Sequence, residues 1–314
     1  MSRVVVAAGY GGPAQLEVRE VAVPAPGPGE VTVQVRAAAI NPIDHKISSG
    51  LMGADATRLP LPMGMEVAGV VTAVGADAEG PGGPIAVGDE VVAYPVTGGY
   101  AEALNAPATS VFSKPAGLDW AQAAGMTLTG VTAYHLLEAT GVGPGDTVLV
   151  HGVAGGVGLT AAQLAIGRGA TVIGTAAEHR HDALGGHGIL PVTYGDGLAD
   201  RVRAAAPDGV DVALDTIGTD EAVEVSLELV ADRARVASVA AFGRADTGIQ
   251  LLGGGPGADP GTEIRDRARL EIADLVGRGD LEVVVARTFP LTEAAAAHRL
   301  VLGGHAGGKV VLLP

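Results

Sequence analysis

The sequence predicts an α/β protein, with a doubly wound parallel sheet and a β-rich domain that is split along the chain. Three observations carry this. Residues 148–158 read Val-Leu-Val-His-Gly-Val-Ala-Gly-Gly-Val-Gly and run straight into Leu159-Thr-Ala-Ala-Gln-Leu-Ala, so a buried strand ends in a glycine-rich turn that opens a helix. After that turn, strand-like and helix-like segments alternate, the pattern of a parallel sheet with helices on both faces. Before it, short Val-rich runs sit between Gly and Pro clusters, the pattern of a barrel or sandwich. At 314 residues the chain also exceeds the usual size of a single core.

In the first third, β-type runs fall at 4–8, 30–37, 66–74 and 90–94, separated by clusters such as Pro24-Ala-Pro-Gly-Pro-Gly29 and Glu79-Gly-Pro-Gly-Gly-Pro84. Residues 120–140 have helical character. A strand follows at 147–151, a helix at 158–168 and a strand at 171–175. A strand at 210–215, a helix at 220–229 and a strand at 236–240 continue the alternation. Residues 249–252 offer one more short strand before a glycine-rich loop at 253–261. Thr262 is the N-cap candidate of an amphipathic helix at 262–277, where Arg265, Arg267 and Arg269 read as a solvated charged face. The tail reads as a strand at 281–287, an Ala-rich helix at 291–302 and a strand at 309–313. The simplest assembly returns it to the N-terminal domain.

Composition narrows the function. Apolar residues make up 47% and charged residues 18%, which suits a packed globular protein. A net charge of −15 repels nucleic acid and anionic membranes. There is no cysteine, hence no disulfide, thiolate nucleophile or Cys-ligated zinc. The N-terminal apolar run is too short for a signal peptide and no stretch is long enough to span a bilayer, so a cytoplasmic protein is expected.

A glycine turn at a helix N-terminus lets a pyrophosphate reach backbone N–H groups that a Cβ would hold away. The candidate phosphate-contact residues are Gly152, Ala154, Gly155, Gly156, Val157 and Gly158. The strict G-x-G-x-x-G spacing would need glycine at position 153, where the chain has Val153. The second strand, Thr171-Val-Ile-Gly-Thr175, completes a βαβ unit and points to a nicotinamide cofactor. NAD-specific folds place an acid at the end of that strand. Here the strand ends Gly174-Thr175-Ala176-Ala177, and Glu178, His179, Arg180 and His181 follow. Thr175 is a cofactor candidate by position. Arg180 is the candidate partner of a 2′-phosphate, or else a solvated cation paired with Glu178. NADPH is therefore the expected cofactor.

Gly9-Tyr-Gly-Gly-Pro13, Ala39-Ile-Asn-Pro-Ile-Asp44, Gly64-Met-Glu-Val-Ala-Gly-Val-Val71, Gly88-Asp-Glu-Val-Val92 and Gly98-Gly-Tyr-Ala-Glu102 join the glycine turn in one pattern. Thr129-Gly-Val-Thr-Ala-Tyr134, Asp215-Thr-Ile-Gly218 and Gly307-Gly-Lys309 extend it to nearly the whole chain. In this order the motifs resemble the zinc-independent medium-chain dehydrogenase/reductases, in particular the quinone oxidoreductase and zeta-crystallin group. The resemblance implies a GroES-like β-barrel domain, residues 1–115 and 282–314, around a Rossmann cofactor domain, residues 116–281. It implies cofactor roles for Tyr194, which aligns with a tyrosine beside the adenosine phosphate, and for Lys309. Thr127, Gly130 and Thr132 lie where the family's cofactor domain begins, with a helix cap and a packing glycine as the alternative. The zinc-dependent branch carries a cysteine near position 41 and a histidine after Gly64. Here Asn41 and Met65 stand there, so no metal is expected.

Hydride transfer without a metal favours acceptors whose conjugation spreads the developing charge, namely quinones and α,β-unsaturated carbonyls. Asn41, in the vanished ligand region, and Lys46, where related quinone reductases carry tyrosine, are the candidate donors to the acceptor. Asn41 reads alternatively as a turn residue before Pro42, and Lys46 as a surface cation paired with Asp44. Tyr94 reads as core rather than pocket. The expected function is that of an NADPH-dependent quinone or enone reductase. The alternatives are an enoyl reductase of a biosynthetic (polyketide-like or thioester) pathway and a non-catalytic NADPH-binding protein. Relatives commonly dimerise by continuing the Rossmann sheet across an edge strand. A homodimer is therefore possible, although residues 249–252 make that strand short.

Overall fold

A computed structural model describes residues 1–304 and 306–314. The chain forms two compact units. Met1–Leu128, Leu270–Gly279 and Val283–Pro314 make the first, and Thr129–Arg269 with Asp280–Glu282 make the second.

In the first unit, β1 (Ser2–Ala7) pairs antiparallel with β2 (Leu16–Val21) and with β4 (Leu61–Pro62). β3 (Glu30–Ile40) alternates, burying Val31, Val33 and Val35 and turning Thr32 and Gln34 toward the other face. Helix α1 (Pro42–Ser48) follows directly. β5 (Val67–Val74), β8 (Glu90–Ala93) and β10 (Val111–Ser113) continue the sheet antiparallel, β9 (Ala103–Pro107) pairs with β3, and β6 (Glu79–Gly80) and β7 (Gly83–Pro84) form a small hairpin. β2 escaped the sequence reading because its alternation is confined to Leu16-Glu17-Val18-Arg19, and nearly the whole strand, Val18 and Val21 included, faces solvent. The helical run at 120–140 divides into α2 (Trp120–Gly125) and α3 (Thr127–Thr140).

The second unit is a six-stranded parallel sheet. Its strands are β11 (Thr147–His151), β12 (Thr171–Thr175), β13 (Leu190–Val192), β14 (Val212–Asp215), β15 (Val236–Ser238) and β16 (Gln250–Leu251), in spatial order β13-β12-β11-β14-β15-β16. Helices α4 (Gly156–Gly167), α5 (His181–Gly186), α6 (Leu198–Ala205) and α7 (Asp220–Leu229) connect them. Leu149, Ile173, Ala213 and Val236 pack its core. The winding reverses between β11 and β14, which makes the carboxyl ends of those strands the topological switch point.

Helix α8 (Thr262–Arg278) corrects one expectation. Its arginines form a solvated face only in part, since Arg267 is 60% exposed but its two neighbours on the helix turn inward. Arg269 is 8% exposed, Arg265 donates to Nδ1 of buried His135 at 3.3 Å, and Arg267 reaches Glu138 at 2.7 Å. The tail supplies β17 (Val285–Pro290), α9 (Ala294–Leu302) and β18 (Lys309–Leu313). The strand expected at 281–287 thus starts later. Gln163 instead holds Glu282 through both backbone groups, at 2.9 and 3.2 Å. β18 runs antiparallel to β3 and closes a sheet ordered β10-β8-β5-β3-β18-β17. The first unit reaches beyond the expected boundary at 115 because α2 packs on β3, β5 and β18. Residues 270–279 join it too, with Gly277 against Pro115. No helix among the described residues is long and apolar enough to cross a membrane.

Candidate active site

In the second unit the glycine turn is a shaped cradle. Gly152 takes φ +73°, and its N–H donates to Thr175 Oγ1 at 3.0 Å. Val153 explains the broken spacing. Its N–H donates to Thr175 O at 3.2 Å and its side chain fills the gap over Gly174, where a Cβ would lie 2.5 Å from Val153 Cγ1. Gly158 lets α4 approach the turn, since a Cβ there would sit 2.4 Å from Gly152 O. Gly155 is the exposed N-cap of α4 and offers no side-chain cap. The first N–H groups of α4 are left for a ligand, the arrangement that suits a phosphate.

The loop after β14 is locked beside this turn. Asp215 Oδ1 accepts from Ile217 N and Gly218 N, both at 2.9 Å, and Asp215 Oδ2 accepts from Ser238 Oγ at 2.6 Å. Thr216 Oγ1 donates to His151 O at 2.7 Å. His151 Nε2 lies 3.1 Å from Ser226 Oγ, and burial pushes the His151 imidazole down to about 4, so it is neutral at physiological pH. Arg180 sits in the single turn Glu178–Arg180 just past β12, and Tyr194, 55% exposed, lies beyond β13.

In the first unit the predicted donors fall into two settings. Asn41 is buried and begins α1, and its N–H donates to Asp44 Oδ2 at 2.8 Å. The same carboxylate oxygen accepts from the Tyr100 hydroxyl at 2.7 Å. Asn41 Nδ2 donates to Glu66 Oε1 at 2.9 Å, and Lys309 Nζ donates to Asn41 Oδ1 at 2.6 Å and to Glu66 Oε1 at 2.9 Å. Glu66 Oε2 accepts from Leu128 N at 2.8 Å. Burial raises the Asp44 carboxyl to about 6 and the Tyr100 hydroxyl well above its usual range. Lys46 lies in the last turn of α1 and is half-buried. Asp44, the partner considered for it, takes its hydrogen bonds from Asn41 and Tyr100.

The turn residues and Thr175 are brought together by the bonds from Gly152 N and Val153 N, while Arg180 lies in the turn that follows β12. Lys309 belongs to the first unit, where its ammonium engages Asn41 and Glu66. Thr127 is fully buried and its Oγ1 has no hydrogen-bond partner, while Thr132 Oγ1 accepts from Arg265 at 3.4 Å. Tyr94 is buried. Sequence reasoning missed Glu66, Tyr100, Asp215 and Ser238 as site residues. The available signal was an acid embedded in an apolar run, as in Met65-Glu66-Val67 and Leu214-Asp215-Thr216. Among the described residues no group of three or more His, Asp or Glu is placed to hold a metal ion.

Comparison with known proteins agrees with this architecture. The family described as alcohol dehydrogenase GroES-like domain matches residues 27–133, and that described as zinc-binding dehydrogenase matches residues 192–312. A quinone oxidoreductase from Pseudomonas aeruginosa is 35% identical across 100% of both chains. A 2-haloacrylate reductase from a Burkholderia species is 35% identical over 97% of this chain and 96% of its own. The solved quinone oxidoreductase of Escherichia coli, in complex with NADPH, superposes with a TM-score of 0.86 at 29% identity and covers 100% of both chains. The chain belongs to the zinc-independent medium-chain dehydrogenase/reductases, in the quinone oxidoreductase group.

Proposed function

We propose that this chain is an NADPH-dependent, zinc-independent reductase of quinones or other α,β-unsaturated carbonyls. The observation that carries the reading is the cradle at the switch point. It has an uncapped helix N-terminus behind Gly155, a turn that Gly158 alone can close, and a β12 that ends in Thr175 rather than an acid, with Glu178 and Arg180 together in the turn that follows. Gly152, Ala154, Gly155, Gly156, Val157 and Gly158 would hold the pyrophosphate, Thr175 and Tyr194 would flank the adenosine half, and Arg180 would take the 2′-phosphate. When bound, the reduced nicotinamide supplies a hydride. The protein's part is to hold the acceptor still, worth up to about 7–11 kcal/mol, and to donate to its oxygen through Asn41 and Lys46, worth about 2.7–4 kcal/mol for one good donor.

A second reading, a reductase of conjugated acids or enoyl thioesters, draws on the 35% identical 2-haloacrylate reductase. NADPH oxidation followed by absorbance, with EDTA present, separates the two. The acceptors are 1,4-benzoquinone, a cyclic enone and an enoyl thioester. Fastest turnover of benzoquinone or enone supports the first reading, and fastest turnover of the thioester the second. Binding without turnover of any acceptor would point to a non-catalytic NADPH-binding protein. For Arg180, the Arg180→Ala variant should lose about 10-fold or more in NADPH affinity while NADH affinity holds. Equal losses for both cofactors would sink the 2′-phosphate assignment.

A further inference from the structure

Antiparallel register sets Val310 of β18 opposite Ile40 of β3, so Lys309 meets Asn41, the residue that follows β3. The two are 268 positions apart in the chain, yet Nζ and Oδ1 are 2.6 Å apart. Glu66, just before β5, closes a ring. Its Oε1 is 2.9 Å from Asn41 Nδ2 and 2.9 Å from Lys309 Nζ. Lysine and carboxylate are 6% and 0% exposed.

We propose that Lys309 and Glu66 are positioning residues for Asn41, fixing and polarising its amide so that one N–H is left to donate to the acceptor oxygen. The proposal rests on the reading of Asn41 as a donor to the acceptor. An ammonium can only donate and an ionised carboxylate can only accept. The amide atom facing Lys309 must therefore be oxygen, and the one facing Glu66 must be nitrogen. A flipped amide would set two donors, or two acceptors, against each other. Nδ2 carries two hydrogens and Glu66 takes one of them. Lys309 also draws electron density from Oδ1, which strengthens the remaining N–H as a donor, as polarised hydrogen-bond chains do. The ring is itself rigid, because Glu66 Oε2 is held by Leu128 N at 2.8 Å and the Lys309 stem packs on Gly125, where a Cβ would lie 3.1 Å from Lys309 Cγ. A fixed positive charge thus acts through an amide at the position where the zinc-dependent branch carries a ligand.

Removing one ion alone would strand the other in the interior, so the test removes both. kcat, KM for benzoquinone and Kd for NADPH would be measured for wild type, N41A, K309R, K309M/E66Q and the combined N41A/K309M/E66Q, with circular dichroism confirming the fold. N41A should lose about 100-fold in kcat. K309M/E66Q should lose about 10-fold or more in kcat and hold its NADPH Kd within about twofold, K309R should recover most of the rate, and the combined variant should be no slower than N41A, because residues acting as a unit are non-additive. Two independent losses that multiply in the combined variant would overturn the proposal. So would a K309M/E66Q enzyme with normal kcat and weakened NADPH binding, which would make Lys309 a cofactor ligand. A wild-type rate in N41A would instead remove the parent reading of Asn41. If K309M/E66Q does not fold, the wild-type side-chain amide of Asn41, assigned in a ¹⁵N spectrum by its loss in N41A, decides. A signal shifted downfield of the exposed amides supports polarisation, and one within their range overturns it.

Discussion

Asp44 is buried with Oδ1 unpartnered, and its carboxyl is raised from 3.8 to about 6, chiefly because burial penalises the charged form. The native state therefore binds this proton more tightly than the unfolded chain does. The associated stability is fully present below about 3.8 and is lost as pH rises through about 6. A shift of roughly two units corresponds to about 3 kcal/mol. Asp44→Asn keeps an acceptor for Asn41 N and Tyr100 and cannot ionise. Relative to wild type it should match in stability near pH 3.5 and gain up to about 3 kcal/mol by pH 8. Urea midpoints of both proteins across that range check this, and parallel pH profiles would contradict it. Single residues were only partly legible in the sequence. Asn41 stood out as the occupant of a lost ligand position, and Lys309 as part of a terminal motif. Their contact was not legible, because strand register created it, and neither was the role of Glu66, because burial is a property of the packed sheet and not of the letter.

Elements were legible where periodicity is strong. β11, β12 and α7 fall where the pattern placed them, because a strand buried on both faces and a capped amphipathic helix announce themselves. β2 and β13 were not, one being solvent-facing and the other three residues long. The strand–turn–helix unit yields a prediction that separates two glycines of one motif. A Cβ at Gly158 would lie 2.4 Å from Gly152 O and 2.8 Å from Val153 Cα, both backbone atoms that cannot swing aside. Gly158→Ala should therefore cost about 1–3 kcal/mol of stability by forcing α4 away from the turn. At Gly155, φ −82° and ψ 165° suit any residue, and the nearest atom to a Cβ is Gly152 O at 3.3 Å. Gly155→Ala should cost less than about 1 kcal/mol while weakening NADPH binding, because its methyl group projects from the exposed N-cap where the phosphate would approach. Thermal unfolding paired with NADPH titration distinguishes them. Equal stability losses in the two variants would mean that the turn does not hold α4 as described.

At the scale of the second unit as a whole, the parallel sheet must end somewhere, and an unpaired outer strand is an open template for another chain. Here the chain closes one edge with its own loop. Past β16, Asp259 N donates to Leu251 O at 2.8 Å and Gly253 N donates to Asp259 O at 2.7 Å, giving a parallel bridge between Leu252 and Asp259. The Asp259 carboxylate anchors the segment. Its Oδ1 accepts from Gly261 N at 2.9 Å and its Oδ2 lies 3.5 Å from Nε2 of buried His135. A second copy that continued the sheet at β16, the dimer implied by family resemblance, would have to displace this segment and pair the same backbone groups. The intact chain should therefore not associate through β16, and any homodimer should use another surface. Deleting residues 254–258 shortens the loop so that Asp259 can no longer reach the edge. The variant should gain concentration-dependent association in sedimentation velocity, and the Gly253 amide, slow to exchange in the intact chain, should exchange fast in the monomeric variant. A wild-type dimer whose edge-facing Leu251 amide loses protection on dilution to monomer would show that the loop yields to a partner, and the edge would then be an interface that the loop only covers.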